Sequence, residues 1–81
     1  MKIKLLFFAR LKEIFGDSWR WMEVDDGSSI AEVLERLVEE SGELSLKEMP
    51  LLFAVNENFE TSEKKLASHD QLALMTPMSG G

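Results

Sequence analysis

The chain has 81 residues, a formal net charge of -6 and no cysteine. This length fits one small domain with a thin core, and the lack of cysteine excludes disulfides, thiolate metal sites and cysteine nucleophiles. The acidic balance argues against nucleic acid as a partner, because nucleic acid is bound mainly through Lys and Arg. No stretch resembles a signal peptide or a membrane span, so we expect a cytoplasmic protein that binds no membrane.

The first part of the chain predicts a strand, a short helix and a second strand. Residues 2–9 contain an apolar run of strand length, and residues 10–15 follow as one or two helical turns that end at Gly16. Over residues 18–24, tryptophans alternate with other side chains at the period of a strand. These elements predict a hairpin-like unit.

The middle of the chain carries the clearest helix signal. Ser29 and Glu32 have the spacing of a capping box, in which each residue satisfies an amide of the other. Gly42 marks the end of the helix. Apolar side chains between these signals fall on one stripe: Ile30, Val33, Leu34, Leu37 and Val38.

Three further strands are predicted after an irregular connection over residues 43–49. Residues 51–55 form an apolar run, and a turn follows it by composition. Residues 59–66 are ambiguous and fit a short edge strand followed by a loop or a single turn. Residues 71–76 form the last strand, which Pro77 ends because proline cannot donate to a ladder.

The order of these elements fits an α+β domain with one main helix on one face of a mixed sheet. Several strands carry large apolar residues at consecutive positions, which puts hydrophobic side chains on both faces. We therefore expect an apolar, partner-binding face beside the chain end. The candidate contacts are Phe7, Leu74, Met75, Pro77, Met78 and Ser79.

The chain ends on Gly80 and Gly81. Neither glycine has a Cβ, so this end can lie against another protein's walls without steric penalty. Residues 77–81 are expected to form a flexible tail that a partner's narrow active site can admit. Pro77 should stiffen the base of that tail.

Four segments together resemble the small subunit of molybdopterin synthase, a family of ubiquitin-like β-grasp sulfur carriers. They are residues 5–16 (LLFFARLKEIFG), 29–34 (SIAEVL), 54–56 (AVN) and 76–81 (TPMSGG). The resemblance spans nearly the whole chain in one order. It implies a β-grasp fold with the main helix packed on one face of the sheet.

The resemblance also implies a mechanism. An ATP-using, ubiquitin-activating-like enzyme would adenylate Gly81, and a sulfur donor would convert the adenylate to a thiocarboxylate, the C-terminal 1-thioglycine. The tail, including Gly80, would enter the large catalytic subunit, where the sulfur attacks a pterin precursor during molybdenum cofactor synthesis. The chain would be a non-catalytic subunit with no bound cofactor or metal, in a heterotetramer of two small subunits on a large-subunit dimer.

Three alternatives remain open from the sequence. A related carrier would deliver sulfur for thiamin thiazole or to another acceptor, with the same fold and tail. A ubiquitin-like modifier would link Gly81 to a lysine through an amide bond. A plain interaction module would make no use of its terminus. The lone His69 is interpreted as an exposed turn residue, because a titrating role needs partners that the sequence does not display.

Overall fold

The protein folds as a five-stranded sheet with one long helix, as seen in a computed structural model that describes residues 1–77. The strands are β1 (Lys2–Phe7), β2 (Trp19–Glu23), β3 (Leu52–Val55), β4 (Asn58–Glu60) and β5 (Gln71–Met75). The helices are α1 (Arg10–Phe15) and α2 (Ile30–Ser41), and a 3-10 turn (Leu44–Lys47) lies in the connection that was predicted to be irregular.

The sheet is mixed, with the strand order β2-β1-β5-β3-β4. The first and last strands, β1 and β5, lie side by side in parallel at its centre, and all other pairs are antiparallel. A parallel pair needs a long crossover connection, which here contains α2. The predicted α+β class is therefore confirmed, and β4 is the expected short edge strand, which begins at Asn58, one residue before the predicted segment 59–66.

Helix α2 begins at the predicted capping box. The Ser29 hydroxyl accepts a hydrogen bond from the Glu32 amide at 3.2 Å, and the Glu32 carboxylate accepts one from the Ser29 amide at 3.0 Å. The hydrogen bond from the Ser29 amide to the carboxylate, and after it the Ser29 side chain, lower the pKa of Glu32 below its usual value. The helix ends at Gly42, whose φ of 75° places it in the left-handed region that favours glycine.

The core lies between α2 and one face of the sheet. Alternate residues of β1 and β5 point into it, including Phe7 and Leu74, which are paired in register and are 2% and 0% exposed. The prediction that Phe7 and Leu74 contact a partner is therefore wrong, because neither side chain reaches the surface of the sheet. Consecutive apolar residues show that both faces are hydrophobic, but they do not reveal which residue points inward.

Two loop residues, Asn56 and Asp70, connect the C-terminal end of β3 to the start of β5 through hydrogen bonds. Asn56 lies in the tight turn between β3 and β4, with a φ of 49°. Its side-chain oxygen accepts a hydrogen bond from the Gln71 amide at 3.0 Å, and its amide nitrogen donates to the Asp70 carboxylate at 2.9 Å. The turn is thereby fixed to the neighbouring strand as well as to its own hairpin.

Candidate functional site

The sheet face opposite α2, here called the open face, has no element packed over it among residues 1–77. Residues paired across neighbouring strands share a face, so the register gives its members. The open face comprises Lys2, Lys4, Leu6, Phe8, Trp19, Trp21, Glu23, Leu52, Ala54, Phe59, Gln71, Ala73 and Met75. Most of these residues are apolar, as expected of a surface that binds another protein.

A shallow apolar hollow of about 270 Å³ lies in the middle of this face. The small residues Ala54 and Ala73 are paired in register and form its floor, since larger side chains stand around them. Phe59 and Phe8 at its rim are 73% and 48% exposed. The residues that line the hollow are Leu6, Phe8, Ala54, Glu57, Phe59, Gln71, Ala73 and Met75.

The chain leaves the sheet beside this hollow. Met75 is the last residue of β5, lines the hollow and is paired with Leu52, which is 42% exposed. Pro77 follows and is exposed. Met75 is therefore half-buried at the surface and Pro77 is exposed, both at the root of the tail, and their role as partner contacts stays a prediction. The predictions for the other tail residues, Met78, Ser79, Gly80 and Gly81, and for the tail's flexibility, lie outside the described residues.

A cluster of two tryptophans and two lysines lies next to the hollow, on the β1–β2 side of the open face. We call Lys2, Lys4, Trp19 and Trp21 the Trp–Lys patch. The Lys4 ammonium lies 4.5 Å from the centre of the Trp19 ring, and the Lys2 ammonium lies 5.3 Å from that of Trp21. The two indole rings meet edge to face at 6.3 Å.

The sequence pattern predicts the strands of this patch but not the patch itself. Lysines alternate with apolar residues in β1, and tryptophans alternate with other residues in β2. Pairing the two strands in the register Lys4 with Trp21 would have brought all four side chains together. His69 lies at the margin of the patch, exposed and with its ring edge-on to Trp21 at 6.4 Å, in keeping with a turn residue.

A larger hollow of about 490 Å³ lies on the opposite side of the sheet, between α2, the 3-10 turn and β3. Leu34, Met49 and Phe53 line it, and none of them belongs to the tail root. Size alone would favour this hollow as the functional site. The open face is the better candidate because Met75 joins its hollow directly to the root of the tail.

Within residues 1–77, no group of three or more His, Cys, Asp or Glu side chains is placed to hold a metal ion. Over the same residues, no helix is both long and apolar enough to cross a membrane.

Comparisons with known proteins find relatives that match almost the whole chain. The model of the ThiS family matches residues 5–81. The molybdopterin synthase sulfur carrier subunit of Arabidopsis thaliana is 31% identical over 100% of this chain and 84% of its own length. The subunit of the same name from Chlamydomonas reinhardtii is 29% identical over 100% of both chains.

Solved structures support the fold. SAMP1 of Haloferax volcanii superposes with a TM-score of 0.85 at 24% identity, with both chains covered in full. The complex of subunits 1 and 2 of molybdopterin-converting factor from Helicobacter pylori contains a chain that superposes with a TM-score of 0.65 at 21% identity, again with both chains covered in full. Together with the sheet topology, these likenesses confirm the predicted ubiquitin-like β-grasp.

Proposed function

Because this chain belongs to the ThiS family and to the molybdopterin synthase sulfur carrier subunits, we propose that it carries sulfur as a thiocarboxylate on Gly81. The family resemblance inferred from the sequence motifs is confirmed by these matches. In this proposal the chain is the non-catalytic subunit of a sulfurtransferase. Its large catalytic subunit accepts the tail and uses the sulfur to build the dithiolene of the molybdenum cofactor.

The observation that carries this proposal is the position of the tail root beside the apolar hollow. A partner that covers the hollow also contacts Met75, from which the chain runs on through Pro77. From Pro77 to Gly81, an extended chain spans roughly 15 Å at about 3.3 to 3.6 Å per residue. That reach is enough for the terminal carboxylate to enter a buried active site while the open face stays docked.

The chemistry requires help from other proteins. A C-terminal carboxylate is ionised at neutral pH and is a poor electrophile. An adenylating enzyme would join Gly81 to AMP from ATP, with release of pyrophosphate, and a sulfur donor would then displace AMP. The resulting thiocarboxylate sulfur is the nucleophile that attacks the pterin precursor in the large subunit. The chain itself would bind no cofactor, and its work would take place in the cytoplasm, in a heterotetramer with two large subunits.

The proposal is tested by a single-turnover sulfur transfer assay with the large subunit and the pterin precursor. The chain is prepared with a thiocarboxylate at Gly81. It is compared with a form that has one extra residue after Gly81 and carries the thiocarboxylate on that residue. We expect the extended form to transfer almost no sulfur, because its reactive group no longer meets the precursor. Equal transfer by both forms would contradict the tail mechanism.

Docking is tested separately with a matched pair of substitutions. Met75→Asp places a charge on the open face, and Leu44→Asp places one on the 3-10 turn beside α2, where Leu44 is 68% exposed. We expect Met75→Asp alone to weaken binding of the large subunit, since an unpaired charge is costly in an interface. Equal affinities of the two variants would place the docking surface elsewhere.

A further inference from the structure

The open face carries two lysines that have no ion-pair partner in the described part of the chain. Among residues 1–77, the ion pairs join Met1 to Asp26, Arg20 to Asp17 and Arg36 to Glu40, and none includes Lys2 or Lys4. Glu23 is opposite Lys2 in register but forms no ion pair with it. The lysine ammonium groups lie instead over tryptophan rings, where they remain free to meet a further anion.

The tryptophans of the patch are exposed to solvent. Trp19 and Trp21 are 48% and 45% exposed, on a strand at the edge of the sheet. Tryptophan is enriched among the residues that dominate binding energy at protein interfaces. The ring–ring and ring–ammonium contacts hold these side chains in place before a partner arrives, which reduces the entropy lost on binding.

The patch is continuous with the apolar hollow. Leu6 is paired with Trp19 on one side and with Ala73 on the other, and it lines the hollow. One uninterrupted surface therefore runs from the tail root at Met75, across the hollow, to the Trp–Lys patch. A partner that docks on the hollow has the patch within its footprint.

We infer that the Trp–Lys patch binds an acidic, partly apolar segment of the large subunit. Carboxylates of that segment meet the Lys2 and Lys4 ammonium groups, while its apolar groups cover the two indole rings. The inference rests on the proposed function for the identity of the partner. Beyond that function, the inference states that the large-subunit surface facing this side of the sheet is acidic and partly apolar. It also gives the four residues of the Trp–Lys patch a role in recognition.

The charge distribution of the chain favours a short protein segment over a polyanion as the occupant of the patch. Nucleic acid or an anionic membrane would extend past two lysines and meet the carboxylates of a chain whose net charge is -6. Glu23 and Glu57 stand at the margins of the open face and would oppose such a surface. A short protein segment can place its few carboxylates at the lysines alone, so it is the occupant that the charge distribution favours.

The test measures affinity of the whole chain for the large subunit by isothermal titration calorimetry at two salt concentrations. The test variant is Lys2→Glu/Lys4→Glu, and the control is Lys47→Glu/Lys64→Glu. The control lysines are exposed, and lie on the 3-10 turn and beside the start of α2. Both variants change net charge equally, so they differ only in where the charge is changed.

We expect the patch variant to bind about tenfold more weakly or worse and to lose most of the salt dependence of binding. The control should stay close to the wild type. Trp19→Ala/Trp21→Ala should also weaken binding. Thermal melting checks that each variant is folded, and Lys2→Ala/Lys4→Ala replaces the charge reversal if that variant melts early.

The outcomes separate this inference from the proposed function. A wild-type chain with no affinity for the large subunit contradicts the proposed function and the inference with it. A wild-type chain that binds no better than the patch variant contradicts the inference alone. Binding of phosphatidylserine vesicles or a single-stranded oligonucleotide at physiological salt, lost in the patch variant, would overturn the choice of a protein segment.

Discussion

Leu74→Ala should destabilise the domain strongly, whereas Met75→Ala, one residue further on, should not. Leu74 is 0% exposed and is packed in the core beside Phe7. Its truncation loses about 2.4 kcal/mol of transfer free energy at about 0.8 kcal/mol per buried carbon group. The cavity left behind adds to this, for a total of about 3 to 4 kcal/mol. Met75 lies on the open face, where truncation costs about 1 kcal/mol or less.

Thermal unfolding followed by circular dichroism measures the difference. For a domain of this size, 1 kcal/mol lowers the midpoint by about 4 to 8 °C, so Leu74→Ala should melt at least about 12 °C below the wild type. Met75→Ala should melt close to the wild type but bind the large subunit more weakly. Equal midpoints for the two variants would refute the assignment of the core face to Leu74 and the open face to Met75.

Three smaller effects follow from local geometry. Glu32→Gln should lower the thermal stability at pH 7, and melts at acid pH should show no difference from the wild type. Folding lowers the pKa of Glu32, so its carboxylate stabilises the fold above the ordinary pKa of 4.5, and this stability is lost as the pH falls through the pKa of the folded state. Ala9→Gly should raise the melting midpoint, because Ala9 has a φ of 50° and a ψ of -121°, which cost a non-glycine residue about 1 to 3 kcal/mol; a lower midpoint would contradict this strain. Asn56→Ala should cost about 1 to 3 kcal/mol in urea unfolding, since it removes both hydrogen bonds to the start of β5; no change in the urea midpoint would show that they contribute little.

Most of the fold could be predicted because its signals are local. The capping box at Ser29, the glycines that end α1 and α2, and the period of the apolar residues each act within a few positions of the chain. The 3-10 turn was missed because a single buried side chain, Leu46, anchors it to the core. No periodicity can arise in so short an element.

The site was predicted less well because it depends on which face of the sheet α2 covers. In β1 and β5, apolar residues occupy consecutive positions, so either of the two alternating sets of side chains could face the core. Packing settles the matter, because Phe7 and Leu74 are buried and Phe7 stacks on Phe15 of α1 at 4.7 Å, which leaves Leu6 and Met75 outside. The Trp–Lys patch likewise required the register of β1 with β2, which is a long-range contact.

The proposed sulfur carriage is tested most directly by the intact mass of the chain after incubation with ATP, the adenylating enzyme and a sulfur donor. We expect a mass increase equal to the replacement of one oxygen atom by sulfur, which fragmentation locates at Gly81. An unchanged Gly81 with an activating enzyme of demonstrated activity would contradict it. Amide-linked conjugates of Gly81 with lysines, in place of the thiocarboxylate, would contradict it in favour of a protein modifier.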